Sequence, residues 1–211
     1  TMLILFGILM TFAVSKALSM TVLKGVPSSF TLELPPYRRP RIGQVVVRSV
    51  LDRTLFVLGR AAAVAAPAGL LIWLCANVQV GGDSILNWCT GFLDPFARLL
   101  GLDGVILMAF LLGFPANEIV IPIIIMAYLS TGSLLEFDSL DALRQLLVDH
   151  GWTWLTAVCT MLFSLMHWPC STTCLTVRKE SGSWKWTALA WLLPTAVGMG
   201  LCILTAALAR L

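Results

Sequence analysis

Hydrophobic residues dominate three long stretches of the chain, and polar or proline-rich sequence lies between them. The three stretches are residues 2–23, 54–78 and 186–208. A helix rises about 1.5 Å per residue, so about 20 apolar residues are enough to cross a hydrocarbon layer about 30 Å thick. The pattern therefore predicts three spanning helices. The first stretch lacks the basic start and the small-residue cleavage site of a signal peptide.

Two further apolar stretches, residues 105–129 and 152–177, are long enough to span but contain helix-breaking residues. The breakers are Gly113, Pro115 and Pro122 in the first stretch and Pro169 in the second. Proline removes a backbone donor, and its ring clashes with the preceding turn. We therefore expect each stretch to form two half-segments. We also expect residues 105–129 to be re-entrant, returning to the side of the membrane from which they came.

The segments between these stretches are polar or amphipathic. Residues 25–41 are rich in proline and predict an extended linker, and residues 42–53 predict an interfacial helix. Residues 85–100 have an amphipathic pattern that we expect to be interrupted at Pro95. Residues 134–150 predict an acidic amphipathic helix in water or at the interface.

Basic residues concentrate before the second predicted span and between the last two apolar stretches. Because basic loops remain in the cytoplasm, this distribution sets the orientation of the chain. We divide the chain into a transmembrane helix (1–24), a proline-rich cytoplasmic linker with an interfacial helix (25–53) and a helical transmembrane domain (54–211).

Composition agrees with a membrane protein. Hydrophobic residues make up 58% of the chain and charged residues 12%, with a mean hydropathy of +0.90, whereas a soluble domain has about 25% charged residues. The fold class is therefore predicted as all-α: a polytopic helical membrane domain with discontinuous helices. We interpret the net charge of +3 as a topology signal rather than a nucleic-acid surface. The six cysteines form no C-x-x-C pair, and no phosphate-loop motif occurs in the sequence.

Glu118 lies inside the first broken stretch, and it is the only acid between Asp103 and Glu136. A charged side chain at the centre of a bilayer costs about 2.5–3.5 kcal/mol on insertion scales, so an intramembrane acid marks a functional site by default. A pair of proline-broken segments is also typical of transporters that bind their substrate near the midplane. We interpret Glu118 as a transport-path residue; the alternative is a structural role, such as capping a half-helix.

Cys170 follows Pro169 at the predicted start of a half-helix and is itself followed by three hydroxyl residues. The free N–H groups and the positive dipole end of such a half-helix favour a thiolate, which binds soft or borderline cations. If helicity continued through the break, His167, Cys170 and Cys174 would lie near one face. His167, Cys174 and Asn117 are weaker candidates for the path. Free cysteines and a lone histidine also commonly serve as packing residues.

Three sequence stretches together carry a family resemblance: ELPPYRRP at residues 33–40, GFPANEIVIPIIIMAY at residues 113–128 and HWPCSTTCLTVRKESGSWKWT at residues 167–187. In this order they resemble the C-terminal membrane portion of the FeoB-type ferrous iron transporters. The resemblance implies that residues 54–211 form the second of two gate-type repeats. It also implies that Cys170 matches the family's permeation cysteine and that Glu118 matches the acid of its broken segment.

The resemblance further implies import of Fe(II), as the transported ion, by a multi-pass protein of the bacterial inner membrane. GTP and magnesium would bind only to a cytoplasmic GTPase domain outside this chain. The implied partners are the lipid bilayer, the first gate repeat and the GTPase domain; small accessory proteins and a homo-oligomer are further candidates, and nucleic acid is not. Because the chain begins at Thr1 rather than methionine, we expect it to be a piece of a longer protein that neither transports nor hydrolyses GTP by itself.

Two other functions remain open at this point. The first is a gate-domain permease for nucleosides or another small polar solute, in which Glu118 and Asn117 recognise hydrogen-bonding groups. The second is a membrane enzyme with Cys170 as nucleophile and His167 as base, although no orienting acid or oxyanion-hole motif accompanies that pair.

Overall fold

The computed structural model describes residues 2–21, 42–134 and 139–210, so the predicted linker at 25–41 lies outside the described residues. The described part is almost wholly helical, which confirms the all-α class. The chain divides into two units, Thr1–Val57 and Leu58–Leu211.

The first unit contains two separate helical segments. Helix α1 spans Met2–Thr21 and has no buried residue. Helix α2 spans Ile42–Arg48 and continues as a π-helical segment over Ser49–Leu55. A helix such as α1, which is apolar on all sides and has no buried residue, typically contacts lipid or further protein through its surface.

The second unit is built from eight helices and one short hairpin within the described residues. Its elements are α3 (Phe56–Asn77, which begins at the end of the first unit), β1 (Gln79–Val80), β2 (Asp83–Ser84), α4 (Ile85–Leu99), α5 (Gly104–Leu112), a 3-10 turn (Asn117–Ile119), α6 (Val120–Leu129), α7 (Leu140–Asp149), α8 (Trp154–Met166), α9 (Ser171–Ser181) and α10 (Trp184–Arg210). Strands β1 and β2 pair antiparallel through a turn at Gly81 and Gly82, both with positive φ. Glycine adopts that conformation without a steric cost.

Three described helices are long and apolar enough to cross a membrane: Met2–Thr21, Val57–Asn77 and Trp184–Arg210. These coincide with the three predicted spans. Two sharply bent helix pairs, α4 with α5 and α7 with α8–α9, bring the number to five if each pair is counted as one span. The bent pairs differ in extent from the predicted broken stretches: α4 pairs with α5, and residues 117–129 form a separate short apolar helix.

The expected interruption of residues 85–100 is wrong, because α4 continues through Pro95 without a break. Leu86, Thr90 and Ala97 lie on one face of this helix and are buried, and the helix packs against α5. A proline inside a helix costs about 3 kcal/mol, and we infer that burial of this apolar face offsets that cost.

Helices α5 and α6 form a closely packed hairpin. Seven of the nine residues of α5 are buried, and Ile123, Ile124 and Ile125 of α6 are 2% exposed or less. Gly113 lies at the turn, where an added Cβ would be 2.6 Å from Cγ2 of Val120. The first broken stretch therefore folds back on itself.

Helices α8 and α9 both pack along the single long helix α10. Gly198 of α10 lies against Met166 at the end of α8, and Trp191 stacks on Trp168 in the break, with ring centroids 5.6 Å apart. The second broken stretch is therefore an interrupted helix held by an uninterrupted neighbour.

Candidate functional site

The first break lies between α5 and the 3-10 turn. Pro115 has no N–H to donate to the carbonyl of Leu111, and the N–H of Phe114 bonds that carbonyl instead at 3.3 Å. The N–H of Ala116 then donates to the carbonyl of Gly113 at 3.0 Å. The chain thus makes two tight turns in place of one helical turn, and these turns satisfy backbone groups that the proline would otherwise leave without partners.

Glu118 and Asn117 lie in the 3-10 turn, and both side chains are exposed on the surface of this chain. Within the described part of the chain, the one ion pair joins Arg98 and Asp94, so Glu118 has no basic partner there. An acid at membrane depth is stable only where it faces water or other protein. The carboxylate of Glu118 is therefore accessible from outside the described residues.

The second break consists of the four residues between α8 and α9. His167 caps α8 in an extended conformation (φ −75°, ψ 178°), and Cys170 occupies the N-cap position of α9 in a similar conformation. The helix therefore does not continue from His167 to Cys174, and the single face proposed for His167, Cys170 and Cys174 does not form. Pro169 is the cause, because a proline disfavours helical conformation in the residue before it.

A backbone hydrogen bond joins the two breaks. The N–H of Ser171, the first residue of α9, donates to the carbonyl of Phe114 at 2.9 Å. The first N–H groups of a helix have no partner inside the helix, and the carbonyl of Phe114 lies in the turn that Pro115 forces on the chain. Each break thus supplies a partner for a backbone group that the other leaves free.

The sulfur of Cys170 is surrounded by hydroxyl groups. It lies 3.2 Å from Oγ1 of Thr172 and 3.1 Å from Oγ1 of Thr173. Hydroxyl donors at these distances stabilise a thiolate more than a thiol. The thiol of Cys174, by contrast, donates to the carbonyl of Pro169 at 3.6 Å. This contact favours a packing role for Cys174.

His167 has one nitrogen engaged and one without a partner. Its Nδ1 lies 2.8 Å from the carbonyl oxygen of Ser164, and because a carbonyl only accepts, we assign the proton to Nδ1. In the neutral ring Nε2 then carries a free lone pair. Nε2 is buried without a hydrogen-bond partner among the described residues, as are Nε1 of Trp168 and Oγ of Ser171. Unpartnered buried polar atoms at one break indicate a place for water or an ion.

The candidate ligands do not assemble into a closed metal site. Within the described residues, no group of three or more His, Cys, Asp or Glu side chains is placed to hold a metal ion. Cys170, His167 and Glu118 are therefore separate positions near two adjoining breaks rather than one coordination sphere. A conducting path needs sites that release the ion, which separate ligands provide more readily than a cage does.

Sequence reasoning missed a polar network that closes the α5–α6 hairpin. Asp103 caps α5 by accepting the N–H of Ile106 at 2.7 Å, and its other oxygen accepts the hydroxyl of Tyr128 at the end of α6. The indole N–H of Trp152 donates to the same hydroxyl at 2.8 Å. An aspartate just before an apolar run signals an N-cap, but nothing local indicated its distant partners.

Comparison with known proteins gives two family matches along the chain. Residues 58–184 match the Gate family, described as nucleoside recognition, and residues 1–52 match the family described as the C terminus of ferrous iron transport protein B. The chain is also similar to the Fe(2+) transporter FeoB of Staphylococcus aureus strain COL, with 32% identity over 87% of this chain and 27% of the relative.

Relatives of lower identity are also named as Fe(2+) transporter FeoB, either alone or in a fusion. The Fe(2+) transporter FeoB of Methanocaldococcus jannaschii is 26% identical over 80% of this chain and 26% of its own length. A protein of Porphyromonas gingivalis, named as a fusion of Fe(2+) transport protein A with Fe(2+) transporter FeoB, is 22% identical over 88% of this chain and 28% of its own length. The chain thus spans about a quarter of the curated relatives it matches. No solved structure matches it significantly.

Proposed function

Because this chain belongs to the Gate family and corresponds to the C-terminal membrane portion of FeoB-type transporters, we propose that it forms part of the Fe(II) permeation path of a bacterial importer. The observation that carries the proposal is the hydrogen bond from Ser171 to Phe114. It makes the two proline breaks adjacent, and breaks of this kind at membrane depth are tolerated where they line a cavity. Glu118 and Cys170 are the residues that we assign to the path.

The chemistry of these side chains suits ferrous iron. Fe(II) is a borderline cation that accepts thiolate, imidazole and carboxylate ligands. The hydroxyl groups around Cys170 support a thiolate there, and the unpartnered Nε2 of His167 adds a neutral ligand. An ion that passes from one separate ligand to the next is bound weakly at each, as conduction requires.

The exposed position of Glu118 supports a path that this chain completes only together with the rest of a longer transporter. We assign the missing wall to the first gate repeat and the energy supply to a cytoplasmic GTPase domain with GTP and magnesium. The fusion protein of Porphyromonas gingivalis makes a small protein of the transport protein A type a candidate partner. The bacterial inner membrane is the proposed location.

A substrate competition experiment tests this function. The full-length transporter that contains this segment is expressed in cells, and anaerobic uptake of radiolabelled Fe(II) and of a radiolabelled nucleoside is measured at equal expression. We expect saturable Fe(II) uptake that unlabelled nucleosides do not reduce. Nucleoside uptake without Fe(II) uptake would replace the iron proposal with the solute permease that the description of the Gate family suggests.

A further inference from the structure

A polar cavity lies away from both breaks, where α3 and α6 end and the β1–β2 hairpin turns. Its volume is about 160 Å³. Polar side chains form much of its wall, and no sequence motif indicated it. The polar lining residues are Gln79, Asp83, Ser84, Asn87 and Ser130.

Two helix C-termini converge on this cavity. Ala76 lies in the last turn of α3, and Met126 and Ala127 lie in the last turns of α6; all three line the wall. The C-terminus of a helix carries a partial negative charge of about half an elementary charge, which attracts cations. The N-terminus of α4 also reaches the wall, but the hydroxyl of Ser84 caps it by accepting the N–H of Asn87 at 3.2 Å. The carbonyls of Met126 and Ala127 also have partners, since they accept the N–H groups of Thr131 and Ser130 at 3.3 Å each. The backbone dipoles around the cavity therefore nearly cancel, and the charge preference depends on the side chains.

Asp83 adds the one carboxylate among the lining residues. Its side chain is exposed at the end of the hairpin, and among the described residues no lysine or arginine pairs with it. Amide and hydroxyl oxygens of its neighbours complete an oxygen-rich wall. Carboxylate, carbonyl and hydroxyl oxygens are the ligands that hard divalent cations prefer.

The wall of the cavity is held in place by its own contacts. The side-chain amide of Asn77 donates to the carbonyl of Gly132 at 2.9 Å and to that of Trp73 at 3.0 Å. Gly132 has a positive φ of 68°, and an added Cβ would lie 2.7 Å from Oδ1 of Asn77. The turn after α6 is thus fixed to the end of α3, which gives the cavity a defined shape.

From these observations we propose that this cavity binds a divalent cation through oxygen ligands and gathers the ion before it enters the path. The cavity lies at the end of α3 opposite to its basic approach, which is the outer side in the orientation that the basic residues predict. The identity of the ion as Fe(II) rests on the proposed function, whereas cation binding itself does not. One carboxylate with neutral oxygens predicts a weak site, with a Kd of about 10⁻⁴–10⁻³ M.

Binding of Mn(II) to the purified full-length transporter that contains this segment, in phosphatidylcholine nanodiscs and without nucleotide, tests the proposal. Mn(II) prefers oxygen ligands, and its free concentration is measured directly by electron paramagnetic resonance. The substitution Asp83→Asn removes the charge, and Asp149→Asn is the matched control, because Asp149 is an exposed acid at the end of α7 that does not line the cavity. All variants are made in a Cys170→Ser, Glu118→Gln background, which removes both side chains assigned to the path.

We expect one weak Mn(II) site that becomes about tenfold weaker in the Asp83→Asn variant and keeps its affinity in the Asp149→Asn variant. Failure of the unsubstituted chain to bind Mn(II), unchanged binding after Asp83→Asn, or an equal loss in both variants would each overturn the proposal. Uptake by Cys170 and Glu118 variants tests the path separately, because neither residue lines this cavity.

Discussion

Proline removes a helical hydrogen bond at both breaks of this chain, and the two breaks differ in how the chain continues afterwards. At Gly113–Ala116 the chain turns back, so that α5 and α6 form a hairpin closed at its far end by Asp103 and Tyr128. At His167–Cys170 the helix is interrupted and then resumes, with both halves held along α10. The first break depends on close packing, and the second carries buried polar atoms without partners. Close packing thus fixes the first break, whereas the polar atoms at the second can still bind a water molecule or an ion.

The largest fall in thermal stability is expected from a substitution in the closely packed turn of the first break. A Gly113→Ala substitution places a methyl group 2.6 Å from Cγ2 of Val120 and 2.9 Å from the carbonyl oxygen of Ala109. Overpacking of this kind costs about 1–3 kcal/mol, so the midpoint of thermal unfolding in detergent should fall clearly. Gly200→Ala in α10 is the control, because an added Cβ there meets nothing within 4 Å. Equal midpoints for the two variants would contradict a tightly packed turn.

A somewhat smaller effect is expected at the closure of the hairpin. Tyr128→Phe removes one hydroxyl and leaves Asp103 and the indole N–H of Trp152 without their partner. A buried polar group that loses its hydrogen bond costs about 1–3 kcal/mol. We therefore expect a lower thermal midpoint than in the unsubstituted chain. A midpoint equal to that of the unsubstituted chain would show that the network contributes nothing.

At the second break, stability and uptake are expected to respond differently to one substitution. His167→Phe removes Nε2, a buried atom without a partner among the described residues, but also the bond from Nδ1 to Ser164. These changes act in opposite directions, each by about 1 kcal/mol, so the thermal midpoint should change little. Fe(II) uptake by the full-length transporter should nevertheless fall, since an imidazole ligand is lost. Uptake that stays normal would show that His167 only packs.

The smallest effect on stability and uptake together is expected at Trp184, just after the turn that follows α9. The guanidinium of Arg178 lies 3.8 Å from the ring centroid of Trp184, across the turn at Gly182. A cation–π contact at an exposed site is worth about 0.5–1 kcal/mol. Trp184→Leu should lower the thermal midpoint slightly and leave uptake intact, whereas a strong loss of uptake would place this turn in the transport machinery.

Much of the fold follows from the sequence, because spanning length and proline position are local signals. The three apolar helices and the breaks at Gly113–Pro115 and at Pro169 lie where the pattern predicted them. Pro122 was wrongly expected to break a helix: it lies in the first turn of α6, where a proline is tolerated because its missing N–H has no partner inside the helix. The prediction at Pro95 was wrong because burial of one face of α4 outweighs the free-energy cost of a proline inside a helix. Only that cost is visible in the sequence pattern. The domain boundaries at 24 and 53 stay predictions.

The candidate site could be predicted only in part. Composition and spacing selected Cys170 and Glu118, and these assignments stay proposals. The hydrogen bond between Ser171 and Phe114 could not be predicted, because it joins backbone atoms that are distant in the sequence and have no residue signature. The tautomer of His167 depends on the carbonyl of Ser164, a local contact that forms only because α8 ends at this point.

We propose above that the two breaks form one ion path. Anaerobic uptake of radiolabelled Fe(II) by the full-length transporter measures this function. Cys170→Ser and Glu118→Gln are compared with Cys89→Ser and Asp149→Asn as matched controls, all at equal membrane expression. We expect both path variants to lose most of their uptake and both controls to keep it. Normal uptake in both path variants would show that the breaks are purely structural features.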